Sequence, residues 1–200
     1  PLNIIPVETI LNVYRHRAMS YNTDLNEVRG RLPEYKETGF VWDESACGYN
    51  LIIEDNGKVV RASDACLKHQ SVRARVVFEN PGIFEWDVIL DRHCAWGWVG
   101  VCASGNLVYD NFIGNSSTVG WLLSTSGRIY HGKVNQDGYC PSFAGDNSKV
   151  TVHLDMNKRT CSFTVNGVKY PEVEGWNDLP SKLYPVVSLK TPGRFRIQFH

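Results

Sequence analysis

Apolar and polar positions alternate along most of this chain. Val150, Val152 and Leu154 are separated by Thr151, His153 and Asp155, so one face of the segment is apolar and the other polar. Residues 156–160 are polar and suit a loop. Cys161, Phe163 and Val165 then alternate with Ser162 and Thr164, and Asn166-Gly167 follows, the dipeptide that best tolerates the positive φ angles of a type I′ turn. Two amphipathic strands cannot bury their apolar faces alone and need a second sheet across them. The same period returns elsewhere. Leu51–Glu54 and residues 58–61 flank Asp55-Asn56-Gly57. Val72, Ala74, Val76 and Phe78 alternate with Ser71, Arg73, Arg75 and Val77, and Asn80-Pro81-Gly82 makes a turn. Phe84, Trp86, Val88 and Leu90 share one face of residues 83–90. Residues 96–102, WGWVGVC, read as a buried strand with glycines where another backbone comes close. Residues 120–123 and 128–131 flank a hairpin turn, and Leu183–Leu189 and Arg194–Phe199 flank Thr191-Pro192-Gly193. Ten to twelve short strands at this spacing predict an all-β sandwich or barrel.

Only the first twenty residues carry a helical period. Val7, Ile10, Leu11, Tyr14 and Ala18 form one apolar stripe, with Pro6 placed to open the helix. Residues 21–38 are polar and read as a linker or irregular surface segment. The expected organisation is a helical extension over residues 1–38 that packs on a β domain over residues 39–200.

Composition narrows the function. Lys plus Arg equals Asp plus Glu, at 21 each, with no local basic cluster, which argues against a nucleic-acid or polybasic membrane partner. No apolar run approaches the ~18 residues of a membrane helix. The six cysteines show no CxxC pair or metal-ligand spacing; reduced thiols packed as small hydrophobes are expected, with a disulfide framework as the alternative. No cofactor and no metal are expected. The chain begins at Pro1 and reads as a piece of something longer, expected to be cytoplasmic and monomeric.

Glu85, Asp87 and Asp91 lie on one face of a strand. Two carboxyls about 5–5.5 Å apart suit a retaining glycosidase, and the spacing is similar to that of family 16 glycoside hydrolases, although Asp91 stands where they have Glu. The solvated face of a half-buried strand accounts for the same residues. No nucleophile elbow accompanies the scattered histidines, and Gly97, Gly100, Gly105 and Gly114 form no dinucleotide motif. Trp96, Trp98 and Trp121 sit inside strand patterns and are expected in the core, while Trp42 and Trp176 fall in loops. The loop over residues 105–117 mixes Tyr109, Phe112 and Ile113 with Asn, Asp and Ser. Phe112 and Ile113 are expected to anchor it and Tyr109 to meet a partner.

Several segments in register resemble the SPRY domain family. Residues 82–88, GIFEWDV, are similar to its "yyfEVev" strand, and residues 98–102, WVGVC, to "vGva". Gly120-Trp121 with residues 128–131, RIYH, resembles "GWdl…lyHdgk". Gly145-Asp146, Leu154-Asp155, Ser162-Phe163 and Asn166-Gly167 match "GDvIGv.lD…isFt.NG", and residues 183–189 match "lyPavsl". The likeness runs from about Gly48 to Phe199. Residues 128–136, RIYHGKVNQ, are closest in feel to the SPRY domain of SOCS-box adaptors. The resemblance implies a bent, concanavalin A-like antiparallel jelly-roll sandwich that acts as a non-catalytic module for a protein or short peptide. In those adaptors a tyrosine and a tryptophan grip an Asn-rich peptide; Tyr109 matches the tyrosine, and Val119 stands where the tryptophan would be. The partner-binding residues implied are Tyr109, Asp110, Asn111, Val119, Gly120, Lys133 and Asn135. The competing expectation is a carbohydrate-active sandwich, either lectin or hydrolase.

Overall fold

The computed structural model describes residues 39–103, 107–115, 119–132 and 134–199. The helix expected over residues 1–20, the segment 21–38 and Lys133 lie outside the described residues. Fourteen strands among the described residues, numbered in chain order, form two seven-stranded sheets with antiparallel pairings. Sheet I runs β1 (Trp42–Cys47), β4 (Gln70–Ala74), β13 (Leu183–Leu189), β6 (Trp98–Ala103), β7 (Gly120–Ser124), β8 (Ile129–His131), β9 (Val134–Gln136). Sheet II runs β12 (Val168–Lys169), β11 (Thr160–Val165), β10 (Ser148–Asp155), β5 (Ile83–Arg92), β14 (Arg194–Phe199), β3 (Val59–Ala62), β2 (Leu51–Glu54). The all-β sandwich expected from the alternation is therefore the fold.

The hairpin over residues 148–165 forms as its pattern requires. Val152 lies opposite Phe163, and Asn166 and Gly167 take φ of 48° and 85°, the left-handed pair that a type I′ turn needs. Phe84, Trp86, Val88 and Leu90 of β5 point inward and are buried against Val99, Val101, Leu123 and Val187 of sheet I. Phe78, bridged to Leu183, stacks on Phe84 at 4.5 Å and on Trp86 at 5.2 Å. Each fully buried side chain of this size stabilises the fold by about 1.5–3 kcal/mol. Phe40 lies 4.4 Å from Phe199 at one edge. At the other, Tyr139 donates its hydroxyl to the Pro171 carbonyl at 2.7 Å and packs on Phe163.

The two glycines of WGWVGVC mark close approaches. A Cβ on Gly100 would sit 2.0 Å from the Trp121 carbonyl oxygen, and one on Gly97 2.7 Å from the Phe195 ring. Several boundaries differ from the pattern. Trp42 lies in β1, not in a loop, and is fully buried; a strand of WDESAC has no clean alternation. Trp96 lies in a turn before β6, half-exposed, not in the strand. The segment 132–139 contains β9, an edge strand too short to carry a period. Trp176 is outside the strands, as expected, but buried against Phe163.

All six cysteines are free thiols, and five are buried. Burial pushes Cys102 up to about 12 and Cys94 and Cys140 up to about 11; Cys47 rises to about 12 through burial first and then the nearby Asp110 and Asp43 carboxylates. An unfolded thiol ionises near 9.0, so above that pH the folded chain binds more protons than the unfolded one, and stability falls as pH rises. Urea unfolding should lose at least about 1.4 kcal/mol between pH 8 and pH 10 from Cys102 alone; equal midpoints and slopes at the two pH values would contradict this burial.

Candidate binding surface

A strand that turns one face into the core offers the other to something else. On sheet I that outer face is partly apolar. Trp98, Cys102, Leu122, Tyr184 and Val186 form a second buried cluster with Ile113. The segment between β6 and β7 lies across this face. Leu107, Tyr109, Phe112 and Val119 pack against the cluster, with Phe112 4.5 Å from the Trp98 ring and 5.5 Å from that of Tyr130. Phe112 and Ile113 are thus anchors, as their place in a polar loop suggests.

Backbone groups of this loop are bonded to the sheet beneath it. The Ser71 N–H donates to the Tyr109 carbonyl at 2.7 Å. The buried Ser71 hydroxyl lies 2.9 Å from the Asn111 carbonyl, 3.3 Å from the Ile113 N–H and 2.5 Å from the Ser188 hydroxyl. One hydroxyl has one proton and two lone pairs. Ser71 therefore donates to Asn111 and accepts from Ile113 and Ser188, which fills its capacity. The Asp110 carboxylate accepts the Tyr49 N–H at 3.0 Å, joining the loop to the turn between β1 and β2.

Tyr109 is held half-buried with its ring on the outer face of sheet I. Burial pushes its hydroxyl up to about 12, with a smaller rise from Cys102, while the Arg73 guanidinium pulls it part of the way back. The Arg73 Cζ stands 4.2 Å from the centre of the Tyr184 ring, and its Nη2 lies 3.4 Å from the Asp43 carboxylate. Asp110 and Asn111 are exposed beside Tyr109. Val119 is half-buried in the same cluster and accepts the Ala103 N–H at 2.8 Å. Gly120 is buried; a Cβ there would meet Ile113 at 2.7 Å, and its carbonyl accepts from His131 Nδ1 at 2.9 Å. Asn135 lies in the edge strand β9, opposite Tyr130. Tyr109, Asp110, Asn111, Val119 and Gly120 thus share one loop and one sheet face. Arg73 and Tyr184 join them, although in sequence Arg73 is only one polar position on an alternating strand. Its value comes from cross-strand register, which local pattern does not carry.

The carboxylates of β5 share the outer face of sheet II. His153 bridges Glu85 at 2.5 Å and the Thr164 hydroxyl at 2.7 Å. Asp87, buried, accepts from Thr151 at 2.5 Å and Lys149 at 3.0 Å. Asp91 pairs with Arg194 at 3.2 Å and with Arg196. Each carboxylate is engaged by the neighbouring strands. The hydroxyl–imidazole–carboxylate line at Thr164 has the order of a nucleophilic triad, but β5 and β10 have strands on both sides. Their N–H groups go into the ladders, so they offer no paired donors for an oxyanion. Among the described residues no group of three or more His, Cys, Asp or Glu could hold a metal ion, and no helix is long and apolar enough to cross a membrane.

The SPRY domain model matches residues 83–200, more than half of the chain. The chain belongs to the SPRY domain family, whose members are generally non-catalytic modules for protein interaction. Solved structures agree on the fold. The SPRY domain of human HERC1 superposes with a TM-score of 0.66 at 22% identity, covering 79% of this chain and 97% of that one. The TRIM65 PSpry domain gives 0.62 at 16% identity, with 80% and 90% covered. Stonustoxin gives 0.59 at 17%, over 78% of this chain and 26% of its own. No curated protein matches the sequence.

Ser71→Ala would leave the Asn111 carbonyl, the Ile113 N–H and the Ser188 hydroxyl short of a partner, a cost of about 1–3 kcal/mol. Hydrogen exchange should quicken at Asn111 and Ile113 and stay unchanged in β5 and β10. Equal quickening in all of them would mean that the hydroxyl supports the whole fold rather than the loop.

Proposed function

We propose that this SPRY domain holds a protein or short peptide against the outer face of sheet I, over Tyr109, Asp110, Asn111 and Val119, with Lys133 and Asn135 contributing from the β8–β9 hairpin. The observation that carries this is the half-buried Tyr109, kept in place by its own backbone bond to Ser71 and set beside Arg73 and Tyr184. An aromatic ring, a guanidinium and exposed amide and carboxylate groups on one fixed surface suit an extended polar peptide. Because the loop is already bonded to the sheet, little ordering entropy is lost on binding. The likeness to SOCS-box adaptors extends the reading to Asn-rich peptides, with Val119 in place of the tryptophan. Six free thiols fit a reducing compartment such as the cytoplasm. Residues 39–200 act as the binding unit, as a monomer.

Calorimetry with a synthetic Asn-rich peptide tests the surface. Tyr109→Phe keeps the ring packing and should weaken binding by about 3- to 10-fold through the lost hydroxyl. Tyr109→Ala should weaken it further and also lower the thermal midpoint, since the ring packs on the second cluster. Val119→Trp should tighten it. Binding that neither Tyr109 variant weakens would put the surface elsewhere.

A further inference from the structure

Four consecutive backbone N–H groups hold the turn between β1 and β2, and each has a different acceptor. Gly48 donates to the Ser71 carbonyl at 2.9 Å, Tyr49 to Asp110 Oδ1 at 3.0 Å, Asn50 to Gln70 Oε1 at 2.7 Å and Leu51 to the Gly48 carbonyl at 2.9 Å. Gly48 leaves no room for a side chain: a Cβ there would lie 2.6 Å from the Gln70 Cβ and 2.8 Å from the Tyr109 carbonyl oxygen. The turn is thus pressed onto the loop that carries Tyr109 and Asp110. The Tyr49 ring takes little part in this packing, because the residue is 75% exposed, more than any other large hydrophobic among the described residues. A ring displayed from a fixed backbone gives up little ordering entropy when a partner covers it.

The charge around this turn is negative. Cys47, just before it, feels the carboxylates of Asp110, Asp43 and Glu44. Two cations face these three anions, and both go to the same one: Arg73 lies 3.4 Å and Arg75 4.0 Å from the Asp43 carboxylate. Arg73 is further engaged by the Tyr184 ring. The loop over residues 63–69 borders the turn, since the Ser63 N–H donates to the Asn50 carbonyl at 2.9 Å. It adds Asp64 and Lys68, one of each sign, and His69, whose charged form burial disfavours. Asp110 and Glu44 are exposed, and among the described residues no cation pairs with either.

Resting on the reading that the Tyr109 surface holds a peptide, we infer that Tyr49 and Asp110 form a subsite at its edge for an arginine of that peptide. The Tyr49 Cα is one bond from the nitrogen that Asp110 holds, so ring and carboxylate spring from one point of the backbone. Oδ1 of Asp110 accepts the Tyr49 N–H, and Oδ2 has no partner among the described residues. A guanidinium is flat and weakly hydrated; it stacks on an aromatic face and donates to a carboxylate at the same time. Lysine does this less well, and a peptide carboxylate is repelled. Asp110 therefore has two tasks: it fixes the turn and it draws the cation.

Random peptides displayed on phage are panned on the wild type and, below its thermal midpoint, on Tyr109→Ala. A family kept by the first and lost on the second belongs to the proposed surface. That family should carry an arginine at a fixed offset. Its synthetic member should bind the wild type about 3- to 10-fold more tightly than the same peptide with glutamine in place of that arginine. The ratio should fall to about one on Tyr49→Ala and on Asp110→Asn, and should shrink with added salt. Asp110→Asn keeps an acceptor for the Tyr49 N–H, so hydrogen exchange at that amide should stay slow, whereas Asp110→Ala should quicken it. Tyr49→Ala should keep the thermal midpoint within about 2 °C of the wild type; a fall of more than about 5 °C would make Tyr49 a packing residue and overturn the subsite. A Tyr109-sensitive family without arginine, or a ratio that survives both variants, overturns the subsite and leaves the surface standing. The absence of any Tyr109-sensitive family overturns both.

Discussion

Everything in this molecule depends on two sheets pressing their apolar faces together, and aromatic rings cross that contact. Phe78 arrives from the margin of sheet I and stacks across Phe84 and Trp86 of sheet II. Side chains alternate along a strand, so a residue that faces inward commits its neighbours to face outward, and a slip of one position would expose the whole inner set. The ladder from β10 to β5, continuous from Ser148–Leu90 to Asp155–Ile83, keeps that register over eight pairs. The outer faces are consequences of the inner contact, and their chemistry has to be accommodated rather than chosen freely.

The two outer faces solve this differently. Sheet II presents short and charged side chains that satisfy one another across strands: Glu85 with His153, Asp87 with Thr151 and Lys149, Asp91 with two arginines. Such a surface is closed in the chemical sense, since its hydrogen-bonding capacity is largely used within itself. Sheet I presents Trp98, Leu122, Tyr184 and Val186, which water does not satisfy, and the chain lays the β6–β7 segment over them. A cover of this kind has a rim. At the rim, Tyr109 and Val119 are neither fully buried nor free, and they sit beside polar groups whose positions the sheet determines. The proposed recognition surface lies on sheet I because that is where apolar surface and fixed polar groups meet.

How much of this can be read from residues alone follows the range of the interaction. The hairpin at Asn166-Gly167, the turn at Asp55-Asn56-Gly57 with φ of 51°, 52° and 88°, and the close approach at Gly100 are local, and composition reveals them. Phe112 and Ile113 were legible as anchors because apolar side chains inside a polar loop need cover. Arg73 beside Tyr184 was not, because the pairing depends on which strand lies next to β4, a fact of topology. Trp42 in β1 was lost because WDESAC breaks the alternation that identifies a strand. Trp96 was misplaced for the opposite reason: an aromatic next to a strand reads as part of it, and nothing in the order of residues announces a positive φ.

That last case shows what a rigid frame makes possible. A strained backbone persists only where its surroundings over-determine it, and the turn at Trp96 is bonded at Ala95 and Gly97 to groups from two other segments. The same logic holds for Tyr109, whose carbonyl is tied to Ser71 at the start of β4. In both places the backbone is fixed so that a side chain can remain partly unsatisfied. Loops free to relax would bury these rings and hide the apolar surface. Held by the sheets, they keep it available, and the stability needed to hold them comes from the inner faces, far from either ring.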